Sequence, residues 1–314
     1  LRLILAPMEG VVDYTMRQLL TSIGGYDLCV TEFIRVSNHI LSERAFYKIC
    51  PELKHGCQTL SGTPVRLQLL GQCPDILAQN AIVACQLGAS GIDLNFGCPA
   101  KTVNKHKGGA VLLDYPETIG QIVKQVRDAV PENIPVSAKI RLGVDHSDNA
   151  LDIAKQVEAA GADELFIHAR TKKQGYKPPA YWHLIKEIKS QVSTNIVANG
   201  EVWTYQDYTK CQFESGCDDV MIGRGALANP ELAKNIKLGI STKPDWPCVV
   251  EYLLFQHQTL ADEKLNHPNY YPFRVKQWFS YLKLAYPEAV DCFDKIKRLK
   301  TSDAIIEQLK HYLK

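Results

Sequence analysis

Gly91-Ile92-Asp93-Leu94-Asn95-Phe96-Gly97-Cys98-Pro99 joins a short apolar run to a loop that carries a thiol. The run is too short for a helix and suits a buried strand. Gly97 and Pro99 fix the backbone on either side of Cys98, and loops held by a rigid scaffold are where reacting groups tend to sit. Taken alone, Cys98 is equally well read as one more buried cysteine among the ten in the chain.

The same unit recurs along the sequence. Strand candidates are Leu3–Ala6, Leu28–Glu32, Val65–Leu70, Ile92–Asn95, Val136–Ile140, Glu164–His168, Asn195–Ala198 and Asp219–Ile222. Amphipathic helical patterns lie between them, among them Ile76–Leu87, Pro116–Ala129, Asn149–Ala160 and Thr204–Ser215. Pro116 and Asp148 stand where helices start, and Gly161 and Gly216 where they stop. Eight strand–helix units give the arithmetic of a (β/α)8 (TIM) barrel. An open doubly wound sheet shares the alternation with fewer strands. After Leu238 the alternation ends, and 249–314 reads as helices rich in Leu, Phe, Tyr and Trp, broken at Asn266-His267-Pro268-Asn269. The break at Thr242-Lys243-Pro244-Asp245 divides the chain into an α/β barrel over 1–241 and an all-α helical domain over 242–314.

Composition narrows the functional classes. Of 314 residues 46% are hydrophobic, an ordinary value for a globular protein. No run approaches the ~18 apolar residues of a membrane span, and no charged-then-apolar leader precedes the first strand. The cysteines show no C-x-x-C spacing, which argues against a metal cluster, and their unpatterned use fits a reducing compartment, the cytoplasm by default. The net charge is +2, and 239–314 holds 11 Lys and Arg against 9 Asp and Glu, so the surplus lies in the helical tail. It is densest at Lys295-Ile296-Lys297-Arg298-Leu299-Lys300, a run that by itself reads as a solvated helix face.

Barrel chemistry gathers at the C-terminal ends of the strands. Those positions carry Pro7, Met8 and Glu9, then Glu32 and Arg35, Gln68, Asn95 and Cys98, Lys139 and Arg141, His168 and Arg170, Asn199-Gly200-Glu201, and Gly223-Arg224-Gly225. The glycines after strands seven and eight stand where such barrels bind a phosphate through backbone N–H groups. Gly223-Arg224-Gly225-Ala226-Leu227-Ala228 is a weak dinucleotide fingerprint, because it follows the last strand and opens no new βαβ unit. A flavin mononucleotide phosphate fits better, and Lys139 on the barrel wall would then face the flavin ring.

In order, Leu5-Ala6-Pro7-Met8-Glu9-Gly10-Val11, Gln68, Asn95-Phe96-Gly97-Cys98-Pro99, Lys139-Ile140-Arg141-Leu142-Gly143, His168-Ala169-Arg170-Thr171, Ala198-Asn199-Gly200 and Ile222-Gly223-Arg224-Gly225 resemble the tRNA-dihydrouridine synthases over essentially the whole chain. The resemblance implies an FMN-bearing barrel followed by an RNA-binding helical domain, working as a monomer with NADPH as reductant and tRNA as substrate. It implies FMN contacts from Pro7, Met8, Glu9, Gln68, Lys139, His168, Asn199, Gly200, Glu201, Gly223 and Arg224. Cys98 would protonate C5 of a uracil after hydride reaches C6. Asn95, Arg141 and Tyr176 would handle the base. Arg35, Arg274, Lys276 and Lys297 resemble the basic signature of the C subfamily, which acts at U16 of the D-loop.

Two positions depart from the family pattern. Phe96 stands where other members carry a second cysteine and is expected to be neutral. Lys105-His106-Lys107 replaces a small, Gly-rich stretch. Three other readings remain open: action at another D-loop uridine, a dihydroorotate dehydrogenase-like FMN barrel acting on a free pyrimidine, and a tRNA-binding protein without catalysis.

Overall fold

The computed structural model describes residues 1–105, 108–261 and 269–313. Among the described residues eight parallel strands close a barrel in chain order. They are β1 (Leu3–Leu5), β2 (Leu28–Arg35), β3 (Val65–Leu70), β4 (Ile92–Asn95), β5 (Val136–Arg141), β6 (Glu164–His168), β7 (Asn195–Asn199) and β8 (Val220–Ile222). Leu3, Ile4 and Leu5 lie in register with Val220, Met221 and Ile222, so β8 returns to β1 and the open sheet is excluded. The main departure from the expected strands is β2, which continues past Glu32 to Arg35 through an irregularity between Val30 and Phe33.

Alternation along each strand sorts the side chains. Leu3, Leu5, Leu67, Leu69, Ile92, Leu94, Ala138 and Ile140 face outward into the core shared with the helices. Ile4, Ala6, Leu28, Val30, Phe166, Val197 and Met221 form a second, smaller core inside the barrel. The alternate positions of β3, β4 and β5 are polar instead: Arg66 and Gln68, Asp93 and Asn95, Ser137 and Lys139. The barrel interior therefore has an apolar half and a polar half. Ion pairs close its N-terminal end, where Arg66 Nη1 meets Glu164 Oε2 at 2.6 Å and Arg2 Nη2 meets Asp219 Oδ2 at 2.6 Å.

The helices begin and end where local chemistry directs. Helix Tyr14–Ile23 starts after Asp13, whose Oδ1 accepts from Met16 N at 3.0 Å. Helix Tyr205–Ser215 opens with a reciprocal Thr204/Asp207 capping box and stops at Gly216, φ +65°. Beyond β8 the chain forms helices Arg224–Ala228 and Leu232–Leu238, then Trp246–Ala261, Tyr270–Leu282, Glu288–Ile296 and Ser302–Lys310. Trp246 centres the last group, with ring centroids 5.7 Å from Tyr286 and 6.0 Å from Phe279. Among the described residues no helix is long and apolar enough to cross a membrane. Residues 266–268 of the expected break, and His106 and Lys107, lie outside the described residues. Phe96, the departure from the family pattern, is buried in the main core.

One ion pair sits wholly inside that core. Arg17 Nε donates to Glu52 Oε1 at 2.8 Å and Arg17 Nη2 to Glu52 Oε2 at 2.9 Å, with neither side chain exposed. Arg17 also donates to the Val12 and Ile49 carbonyls, and its bonds to Glu52 tie the first helix to the turn Pro51–His55. Removing one partner leaves an unpaired buried charge, whereas replacing both with apolar side chains is often neutral. Glu52→Ala is therefore expected to lose about 3–5 kcal/mol of stability in urea titrations, and Arg17→Met with Glu52→Leu to recover most of it.

Candidate functional site

The inward-facing series climbs to the C-terminal mouth of the barrel. Asn95 lies in register with Lys139, Arg141 with His168, and His168 with Asn199, so neighbouring strands deliver a continuous polar ring. Above the ring opens a cavity of about 480 Å³, within the range of cofactor sites. Pro7, Met8, Glu9, Gln68, Lys139, His168, Asn199, Gly200, Glu201, Gly223 and Arg224 all line it. So do Cys98, Asn95, Arg141 and Tyr176.

A directed chain of hydrogen bonds holds the thiol loop. Asp93 is fully buried and its carboxylate accepts from Ser137 Oγ and from Gln68 Nε2, each at 2.6 Å. The Gln68 amide must turn its amine to Asp93, so its Oε1 faces Asn95 and accepts from Nδ2 at 2.7 Å. Asn95 Oδ1 then accepts from the N–H groups of Gly97 and Cys98, both at 3.0 Å. From the far side Asn104 Nδ2 donates to the Cys98 carbonyl at 2.9 Å, and Arg141 Nε to the Gly97 carbonyl at 2.8 Å. Asp93 does not line the cavity, yet it sets the polarity of every amide up to the thiol.

Electrostatics follow from burial. Desolvation pushes the Cys98 thiol upward, against a backbone N–H and the nearby Arg141 and Lys139 charges, so the sulfur keeps its proton at neutral pH. Burial raises Asp93 to about 6 despite its two donors. Burial, with Arg141 close by, lowers Lys139 to about 8, and its Nζ donates to Asn199 Oδ1 at 3.1 Å. His168 is driven well below its ordinary value, first by burial and then by the surrounding Arg141, Lys139, Arg170 and Arg224, so its ring is neutral.

The far end of the cavity is built from main chain and guanidinium. Gly200 has φ +118°, and a Cβ there would fall 2.8 Å from His168 Cδ2, so only glycine lets the backbone pass the imidazole. Glu201, at φ +59°, ion-pairs with Arg170 and lies 3.5 Å from Arg224 Nη2. The Arg224 guanidinium lies 4.9 Å from the Tyr176 ring centroid and 5.0 Å from that of Trp203, while Arg141 covers Tyr176 at 5.1 Å. Trp203, Tyr281 and Asp93 were missed by sequence reasoning. Asp93 had a signal, since it sits two residues before Asn95 on the same strand face.

The basic residues of the expected tRNA surface have separate environments. Arg35 is exposed at the end of β2, and Lys297 is exposed and ion-paired with Asp294 at 2.7 Å. Lys276 turns its Nζ to the Leu299 carbonyl. Arg274 is 5% exposed and donates to the Gly10 and Val11 carbonyls, so it is an internal contact and not the open phosphate ligand its charge suggests.

Lys139 gives this site a pH signature. The unfolded chain holds its proton up to about 10.5 and the folded one only to about 8, so stability rises with pH between those values and the deficit is complete below 8. Lys139→Met is expected to stabilise the protein by about 2 kcal/mol at pH 7, after allowance for the lost Asn199 bond. The gain fades as pH climbs from 8 to 10.5, which urea titrations across that window will read.

The model of the family described as "Dihydrouridine synthase (Dus)" matches residues 4–310. The tRNA-dihydrouridine(16) synthase of Shewanella oneidensis is 50% identical over 317 residues, covering 100% of this chain and 99% of that one. The protein of the same name from Vibrio vulnificus is 50% identical over 313 residues, covering 99% and 98%. That from Escherichia coli O157:H7 is 47% identical over 306 residues, covering 97% and 96%. Among solved structures, a 2-naphthoyl-CoA reductase complex shares the fold at a TM-score of 0.59 and 15% identity, over 76% of this chain and half of that larger one. A variant of NCR from Zymomonas mobilis shares it at 0.53 and 16%, over 77% and 88%. The polar ring, the thiol loop and the match over 4–310 have one common reading: this chain belongs to the dihydrouridine synthase family.

Proposed function

We propose that this protein reduces uridine to dihydrouridine in the D-loop of tRNA, at the position 16 named for its relatives, with FMN as bound cofactor and NADPH as reductant. The observation that carries the reading is that Cys98 and Lys139, a thiol whose pKa burial raises and a half-buried amine, line one cavity.

The residues present fit FMN. A mononucleotide needs cationic and N–H donors at its phosphate, a slot for its ring and a positive charge beside the ring. Arg224 supplies the first, and Gly223 and Gly200 line the same cavity. Lys139 supplies the last, with Pro7, Met8, Glu9, Gln68, His168, Asn199, Glu201 and Gly223 around it. When bound and reduced by NADPH, FMN supplies hydride to C6 of a uracil.

Protein side chains do the rest. Cys98 gives its proton to C5, which completes saturation of the C5=C6 bond. A thiol kept protonated by burial is ready for that task without a further pKa shift. Asn95 and Arg141 orient the base, and Tyr176, 52% exposed at the mouth, offers a ring for it to stack on. A uracil inside folded RNA must be extruded to reach this depth, at a cost of a few kcal/mol. Contacts from Arg35 and Lys297 to phosphates offset that cost and make binding salt-dependent.

The deciding experiment is a nucleotide-resolution map of dihydrouridine in unmodified tRNA after incubation with protein, FMN and NADPH. Signal at position 16 supports the whole reading; signal at another D-loop uridine keeps the chemistry and discards the position. NADPH oxidation driven by free uracil or dihydroorotate, without tRNA, would favour a free-pyrimidine enzyme. Cys98→Ala is expected to keep FMN and tRNA binding and NADPH-driven flavin reduction while losing at least ~100-fold of dihydrouridine formation. Wild-type turnover in that variant would remove the thiol from the mechanism.

A further inference from the structure

Helix Tyr270–Leu282 belongs to the helical region, yet it bonds to the segments that follow β1 and β8, neighbouring strands of the barrel. After β1, Arg274 donates to the carbonyls of Gly10 and Val11 and lies 3.0 Å from Asp13 Oδ2. Gln277 Nε2 adds a second donor to the Gly10 carbonyl at 2.8 Å, and its Oε1 accepts from Arg274 at 2.7 Å. The Tyr270 hydroxyl donates to Asp13 Oδ2, the carboxylate whose other oxygen caps helix Tyr14–Ile23. Beyond the end of the neighbouring strand β8, Trp278 Nε1 donates to the Leu227 carbonyl at 2.9 Å, in the short helix that begins at Arg224. Tyr281 of the same helix lines the cavity directly.

The segment that Arg274 holds is the loop after β1, where Pro7, Met8, Glu9 and Val11 face the cavity. Within the loop, Val11 N and Val12 N share the Met8 carbonyl at 3.0 and 2.9 Å, and Gly10 N donates to Glu32. Its outward carbonyls are satisfied from the helical region. A buried guanidinium is costly to the fold unless it is paired and hydrogen-bonded, and here both terminal nitrogens are engaged while Nε has no partner. Arg274 is engaged on two carbonyls, a carboxylate and an amide, all of them at this junction.

We propose that Arg274 is a positioning residue for the cofactor, fixing the loop after β1 so that the helical region forms one wall of the FMN site. This rests on the FMN reading above. Through Trp278 and Leu227 the same helix steadies the segment that carries Arg224, so two neighbouring cofactor-facing segments are held by one element. Loss of the Arg274 contacts lets the loop relax away from the cavity without removing any group that touches the cofactor.

The test uses the full chain stripped of flavin, with FMN affinity read from quenching of flavin fluorescence and tRNA affinity read separately at two salt concentrations. Arg274→Gln is expected to weaken FMN binding by about tenfold or more, Arg274→Lys to recover part of it, and Gln277→Leu to weaken it by about threefold. The absorption envelope of bound flavin should also shift in Arg274→Gln and return towards wild type in Arg274→Lys. FMN affinity within twofold of wild type in a folded Arg274→Gln overturns the proposal, whatever happens to tRNA. If Arg274→Gln does not fold, Gln277→Leu decides by the same criterion. A wild-type chain that binds no FMN fails the underlying reading instead, and that result is distinct because it appears before any variant is made.

Discussion

Closure of the sheet makes the period-two alternation of the strands consequential. In a closed barrel each strand has one inside and one outside, with no edge at which the assignment can change. Once β8 is in register with β1, every second residue of every strand is committed to the interior. On β1, β6, β7 and β8 that interior set is led by Ile4, Phe166, Val197 and Met221. On β3, β4 and β5 it is Gln68, Asp93, Asn95, Ser137 and Lys139. A one-residue register slip on β4 would expose Asp93 and Asn95 to the helical layer and bring Ile92 and Leu94 into the polar half. Fold and site are thus fixed by the same pairing.

The strand pattern made much of this legible. Short apolar runs ending in polar residues locate the barrel and its mouth, and the fifteen barrel positions singled out from sequence as cofactor, base or acid residues line one cavity. Local signals also found the caps, such as Gly216 and the Pro116 start. The illegible part depends on neighbours distant in sequence. Trp203 and Tyr281 are ordinary aromatics until the chain brings them beside Arg224 and over the barrel mouth. Arg274 illustrates the limit most clearly, because its charge is visible in sequence while its burial is set by loop carbonyls more than 260 residues away. A basic residue near the chain end reads as a surface cation unless the docking of the helix is known.

The helical region therefore does two kinds of work. Its exposed charge, as at Lys297, is available to a polyanion, while Arg274, Gln277 and Trp278 face inward and brace the barrel. In our proposal this division means that RNA recognition and cofactor retention share one helical region. The seam it covers lies between β1 and β8, the pair whose meeting closes the barrel. Bracing is most useful there, because the loops after both strands line the cavity.

Burial in the cavity acts with opposite sign on acids and bases, and the site uses both signs. The desolvation that pushes the Cys98 thiol up pushes Lys139 down to about 8 and His168 further still. Near neutral pH this leaves the thiol protonated, the ammonium largely charged and the imidazole neutral. A wetter site would release the Cys98 proton more readily and spread the charge of Lys139 into solvent. A drier one would neutralise Lys139 and remove the positive charge proposed to face the flavin. The cations Lys139, Arg141 and Arg224 are balanced by carboxylates: Asp93 below the cavity and Glu201 on its wall. The depth of the cavity is thus bounded from both directions, by an acid that must keep its proton and a base that must not lose its own.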